Sequence, residues 1–202
     1  MLRAIAIASL ATTAILSGPL ARAESPEDAA FATQVFGKAP GDKPTSVCFS
    51  RVYDDTHLST HPQQNVRTMH MIVTSRVEEG NRTYELRLGV NFKNSKRKFE
   101  TSGSCGSTHG KGEDPKENGT VHCGVDCDGG GIDVALRDSK SLRVAIPAGA
   151  RLYRAGSNDG PPTNGRKNFG SDDKLFRLDR ANFSECLPMV HGAEDRKQLG
   201  VK

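Results

Sequence analysis

Five cysteines, Cys48, Cys105, Cys123, Cys127 and Cys186, are the residues whose type and spacing could do chemistry in this chain. Two uses compete. Thiolates can hold a metal, and Cys105-x3-His109 is followed by Cys123-x3-Cys127. Three thiolates and one imidazole suit a tetrahedral zinc ion. Oxidised thiols pair instead, which is the default use outside the reducing cytosol. Parity narrows the pairing. Cys105 shares a face with Phe99 and Thr101 if one strand runs through all three, and Cys123 shares a face with Val121 and Val125. Cys105 and Cys123 can therefore meet across neighbouring strands, with Cys105–Cys127 as the rival pair. Cys48 and Cys186 flank the expected sheet, and a bridge between them ties its ends together. Cys127 is then a spare thiol.

A second constellation is acidic. Asp126, Asp128 and Asp133 surround Gly129, Gly130 and Gly131. Three carboxylates on a pliable loop could wrap a hard cation such as calcium. The stretch lacks the distal Glu of an EF-hand and the Gly-Lys-Ser/Thr ending of a phosphate loop. The same residues also make a tight turn between strands, with Asp favouring the turn. Catalysis has thin support. Cys127 with His122 or His109 as base would make a thiol nucleophile. A Gly-x-Ser-x-Gly elbow and a His-Glu-x-x-His helix are both missing from the sequence. His57, His61, His70 and His191 read as surface or turn histidines.

The N-terminus decides between these chemistries, because it predicts the compartment. Arg3 precedes an uncharged, mostly apolar run at 4–16. Ser17-Gly18-Pro19 breaks any helix, and Ala21-Arg22-Ala23 offers the small-x-small pattern of a signal-peptidase site. The run is short of the roughly 20 apolar residues that span a bilayer. Residues 1–23 thus read as a signal peptide, and the expected product is a periplasmic or secreted protein with no transmembrane segment. Disulfides then outrank zinc.

Composition bounds the partners. The formal net charge is +4, and Arg3 and Arg22 leave with the signal peptide. No clustered basic field suggests nucleic acid. The chain has no Trp and 5% aromatic residues, so stacking platforms for bases are poorly supported. Arg76, Arg82, Arg87, Lys93, Lys96, Arg97 and Lys98 form a local excess, read as the charged, solvated face of a hairpin. The lesser reading is an anion patch.

The elements that position these groups are mainly strands. Ser25 as N-cap, Pro26 at the first position and Gly37 as a stop predict one short helix. A helical turn is expected at 55–60. Beyond it the period becomes two. Met69, Met71, Val73 and Val77 alternate with polar residues, with Ile72 the apolar exception. Tyr84, Leu86, Leu88, Val90 and Phe92 alternate with Glu85, Arg87, Gly89 and Asn91. Around Glu79-Gly80 these runs predict a hairpin, with Glu85, Arg87 and Asn91 in solvent. Further strands are expected at 46–53, 97–102, 120–125, 132–137, 142–146, 151–154 and 174–179. That makes an antiparallel meander barrel or sandwich of about eight or nine strands. Two long loops, 103–119 and 155–173, interrupt it. Following the fourth and eighth strands of a meander, they would share one end of the sheet and form a binding mouth.

The stretch Cys123-Gly-Val-Asp-Cys127-Asp-Gly-Gly, with the later Phe176-Arg-Leu-Asp-Arg and Cys186, resembles small secreted bacterial proteins of no assigned activity. The likeness covers the second half of the chain and implies no reaction. The strand count is similar to that of lipocalin-like barrels in architecture only, since their Gly-x-Trp signature needs a Trp. The expected organisation is a signal peptide at 1–23, a helix and linker at 24–43, one β domain at 44–190 and a tail at 191–202. The expected function is that of an exported, non-catalytic protein that binds a small molecule or an envelope protein. A zinc protein using Cys105, His109, Cys123 and Cys127 is the alternative, and a secreted enzyme comes third.

Overall fold

The computed structural model describes residues 26–107, 120–125, 129–156 and 169–201. Helix α1 (Pro26–Phe36) leads by a linker into β1 (Thr45–Val52), α2 (Asp55–Thr60), β2 (Val66–Glu78), β3 (Asn81–Phe92) and β4 (Lys98–Ser107). Then follow β5 (Thr120–Val125), β6 (Gly131–Asp138), β7 (Ser141–Ala145), β8 (Tyr153–Arg154) and β9 (Leu175–Ala181). Two 3-10 turns, Phe183–Glu185 and Leu187–Met189, precede α3 (Ala193–Gln198). Every strand pairing is antiparallel, and the order β3-β2-β1-β9-β7-β6-β5-β4 closes through β3–β4. The molecule is an eight-stranded barrel, with β8 added beside β4.

The expected hairpin is present, with Met71 opposite Leu88 and Val73 opposite Leu86. Apart from Ile72, its apolar residues face inward, as alternation requires. Phe49, Met69, Met71, Leu86, Leu88, Ile132, Leu142, Ile146 and Leu178 are all fully buried. Side chains fill this barrel. Helix α1 closes the lower end, where β1 begins. It buries Phe31, Ala32, Val35 and Phe36, and the Phe36 ring stacks on Tyr84 at 6.3 Å. Arg180 donates to the carbonyls of Gln34 and Val35, tying the end of α1 to β9. At the upper end, Phe92 meets Phe99 and Phe169 edge to face, at 5.6 and 5.8 Å. Asp173, buried there, accepts backbone N–H bonds from Asn65 and Gly170 at 2.7 Å each and from Val66 at 3.2 Å. Those donors satisfy a carboxylate that burial would otherwise penalise.

Two expectations about loops are corrected. Residues 103–107 belong to β4, so the strand takes in the start of the expected first loop. The second correction concerns the mouth. Ser107 ends β4 at the lower end of the barrel, whereas Gly156 and Phe169 stand at the upper end. The described flanks of the two expected loops are therefore at opposite ends. The reason is β8, which pairs only with Phe99 and Glu100 and does not cross the barrel, so counting it as a through strand reverses the parity.

The C-terminal residues 182–201 form a strap over the outer wall of β1, β2 and β3. Ile72, the apolar exception, points outward into a small second core with Cys48, Cys186, Met189 and Leu199. Ser46 Oγ donates to the Leu199 carbonyl at 2.5 Å. Gly89 makes room for the strap, because a Cβ there would lie 2.4 Å from Met189 Sδ. Helix α3 occupies part of the segment expected as a tail.

Candidate functional site

The cysteines settle first. Cys48 is bonded to Cys186 across 138 positions, and Cys105 to Cys123, its direct partner in the β4–β5 register. Shared inward parity puts the second pair together, and the strap brings Cys186 to Cys48. Neither Cys105 nor Cys123 is then a thiolate of the kind zinc needs. His109, Cys127, Asp126 and Asp128 lie outside the described residues. Asp133 is described. Its Oδ1 is 2.6 Å from His122 Nδ1, on the outer face of β5 and β6. The imidazole lies over Gly131, where a Cβ would stand 2.4 Å from His122 Cε1. Among the described residues, no group of three or more His, Cys, Asp or Glu side chains is placed to hold a metal.

Polar side chains converge elsewhere, at a groove of about 350 Å³ on the outer wall. Arg87, Glu100, Ser102, Tyr153, Arg154 and His191 line it. Strand geometry explains the location. The edge of β4 is divided: β8 pairs with Phe99 and Glu100, and β5 pairs with residues from Gly103 onward. Thr101 and Ser102 lie at the parting of these neighbours. The strap supplies the opposite wall, bringing His191 and Asp195 over β3 and β4.

Two pairs fasten that wall. Arg87 makes a bidentate bond to Asp195, Nη1 to Oδ2 at 2.7 Å and Nη2 to Oδ1 at 2.8 Å. Its Nη1 also donates to the Met189 carbonyl at 2.6 Å. The guanidinium beside Asp195 holds that carboxyl below the usual range, and the His191 N–H adds to the effect. Charge-assisted, two-point geometry of this kind is stronger than a surface pair. His191 Nε2 lies 2.8 Å from Glu100 Oε2. Arg154 is exposed and has no ion-pair partner among the described residues.

These contacts correct one sequence reading. Arg87 is on the outer face but is half-buried under the strap, not free in solvent. His191 is exposed, as a surface histidine is expected to be, and it lines the groove, joined to a strand 91 positions away. Sequence reasoning also missed Glu100, Tyr153 and Arg154. The parity of Glu100 was readable, but nothing local marks the edge shared by β8 and β5. The other cations of the hairpin are mostly engaged. Arg76 pairs with Glu85 at 2.7 Å, Arg82 donates to Ser75 and Gly41 at 3.0 Å each, and Lys93 to the Pro62 carbonyl at 2.8 Å.

The groove can bind polar groups through a guanidinium, a phenol and a hydroxyl. Its other ionisable groups are committed to one another. Against known proteins, no family model, curated sequence or solved structure matches the chain. No helix among the described residues is long and apolar enough to cross a membrane. The two disulfides fit an oxidising compartment.

Proposed function

We propose that this is an exported, non-catalytic β-barrel protein that binds a small polar molecule in the groove beside the C-terminal strap. The observation that carries the reading is the contrast between the barrel's two sides. The interior is filled by apolar side chains, while polar groups converge on the outer wall between β4, β8 and the strap. The way those groups are used supports binding without catalysis. Arg87 is bonded to Asp195, and His191 to Glu100, so the acids and bases hold the wall together. Arg154, Tyr153 and Ser102 remain to meet a ligand. Export rests on the N-terminal sequence, and the paired cysteines agree with it. The likeness to small secreted bacterial proteins belongs with this reading.

A thermal-shift panel of amino acids, dicarboxylates and hexoses tests the binding claim. One class should raise Tm for the wild type and lose that effect in Arg154→Ala, because only a ligand of the folded state stabilises it. A panel with no effect, or equal shifts in both proteins, would overturn the groove as the binding site.

A further inference from the structure

Around the barrel, the seam between β7 and β9 lies opposite the seam between β3 and β4 that carries the groove. Of β9, its last residue, Ala181, packs against the strap's core, and Leu175 and Arg177 stay exposed. On this wall Arg143 stands directly opposite Arg177 in the β7–β9 register, and both are exposed. Like charges facing across a strand pair destabilise it. Arg177 Nε donates to Asp179 Oδ1 at 2.7 Å, but Arg51 takes the other oxygen of that carboxylate at 2.9 Å. The Arg143 side chain has no ion-pair or hydrogen-bond partner among the described residues. Arg137 is exposed on the neighbouring strand β6. The acidic groups nearby include Asp179, Asp133, held by His122, Asp138, which accepts from Ser141 Oγ and the Lys140 N–H, and Glu185, which accepts from Ser50 Oγ two positions from Val52.

The same wall carries the exposed large apolar side chains of the described residues. Leu175, 57% exposed, lies on β9 opposite Ala145, two positions from Arg177. Val52, 63% exposed, ends the neighbouring strand β1. Guanidinium groups interleaved with exposed apolar side chains on a sheet wall match a lipid interface, where cations meet headgroups and apolar side chains enter the acyl boundary. We propose that the β7–β9 wall, with Arg143, Arg177, Leu175 and Val52, docks the barrel on a bilayer containing anionic phospholipid. The groove then faces away from the membrane. This inference uses other residues than the binding reading and can fail separately from it.

Co-sedimentation of the full chain with phosphatidylglycerol–phosphatidylcholine vesicles, and with phosphatidylcholine alone, tests it. The apolar run at 4–16 is common to all variants, so differences between them report the wall. The wild type should favour the anionic vesicles, more weakly as salt rises. Arg143→Gln with Arg177→Gln should weaken that binding about thirtyfold, at about five- to sixfold per cation. Leu175→Ser should weaken it several-fold. The double variant should melt no lower than the wild type, which confirms its fold, because it relieves a like-charge pair. Unchanged vesicle binding by the folded double variant would overturn the proposal. So would release by inorganic phosphate at matched ionic strength, which would identify a free-anion site. Equal binding to polyglutamate, insensitive to Leu175→Ser, would identify an acidic polymer and overturn it as well.

Discussion

Met189 sits on Gly89, so close that a Cβ on the glycine would lie 2.4 Å from its sulfur and 3.1 Å from its Cγ. The strap is seated on β3 by a missing side chain. Gly89→Ala requires the flexible thioether to move, and Gly89→Val requires more. The valine variant should lose about 1–3 kcal/mol by overpacking. Hydrogen exchange should locate the loosening in 186–199 rather than in the barrel. Uniform loosening of every strand would show that the strap is not a separate layer.

Leu88, next to that glycine, faces the other way and is fully buried. Leu88→Ala should cost about 2–5 kcal/mol in denaturant unfolding.

Arg87 provides a sharper contrast. As a solvent-facing residue, it would tolerate truncation within about 0.5 kcal/mol. Bonded to Asp195 and the Met189 carbonyl, it should instead cost about 1–3 kcal/mol on change to Ala. The pH dependence has a definite sign. Asp195 has its folded pKa lowered, chiefly by the Arg87 hydrogen bond. Its contribution is therefore present above the unfolded value of about 3.9 and is lost as pH falls through the folded one. The stability gap between wild type and Asp195→Asn should close below about pH 4 and stay open at pH 7. A gap that is the same at pH 3 and pH 7 would contradict the pairing.

His70 titrates in a different window. Burial is the main cause that lowers its pKa, Glu185 opposes the shift and Lys98 adds to it. Its Nδ1 is buried without a hydrogen-bond partner. For a base with a lowered folded pKa, the unfolded chain takes the proton first. Stability should therefore fall as pH drops below about 6.5. His70→Gln should lack that component of the pH profile. An identical profile in wild type and variant would show that His70 is neutral to folding.

Much of the barrel was legible because its strands alternate. Tyr84 to Phe92 announced an inward face, and the same parity placed Cys105 opposite Cys123. Ile72 broke the pattern for a reason invisible locally, since the strap that covers it arrives more than 100 positions later. The groove was hidden in the same way. Arg87 meets Asp195 across 108 positions, and His191 meets Glu100 across 91. In sequence such charges look like a wetted surface. The mouth was misplaced because a two-residue edge strand and a strand crossing the barrel look alike as short apolar–polar runs.

The most direct test of an exported, disulfide-closed binding protein is the intact mass of the protein recovered from its native compartment. Under denaturing, non-reducing conditions the mass should match a chain from Glu24 to Lys202, four hydrogens lighter than the reduced form. Under native conditions the wild type should carry additional non-covalent mass that is missing from Arg154→Ala. A chain still beginning at Met1 with every cysteine free to alkylate would contradict export and the two bridges. The same native adduct on wild type and variant would contradict the groove.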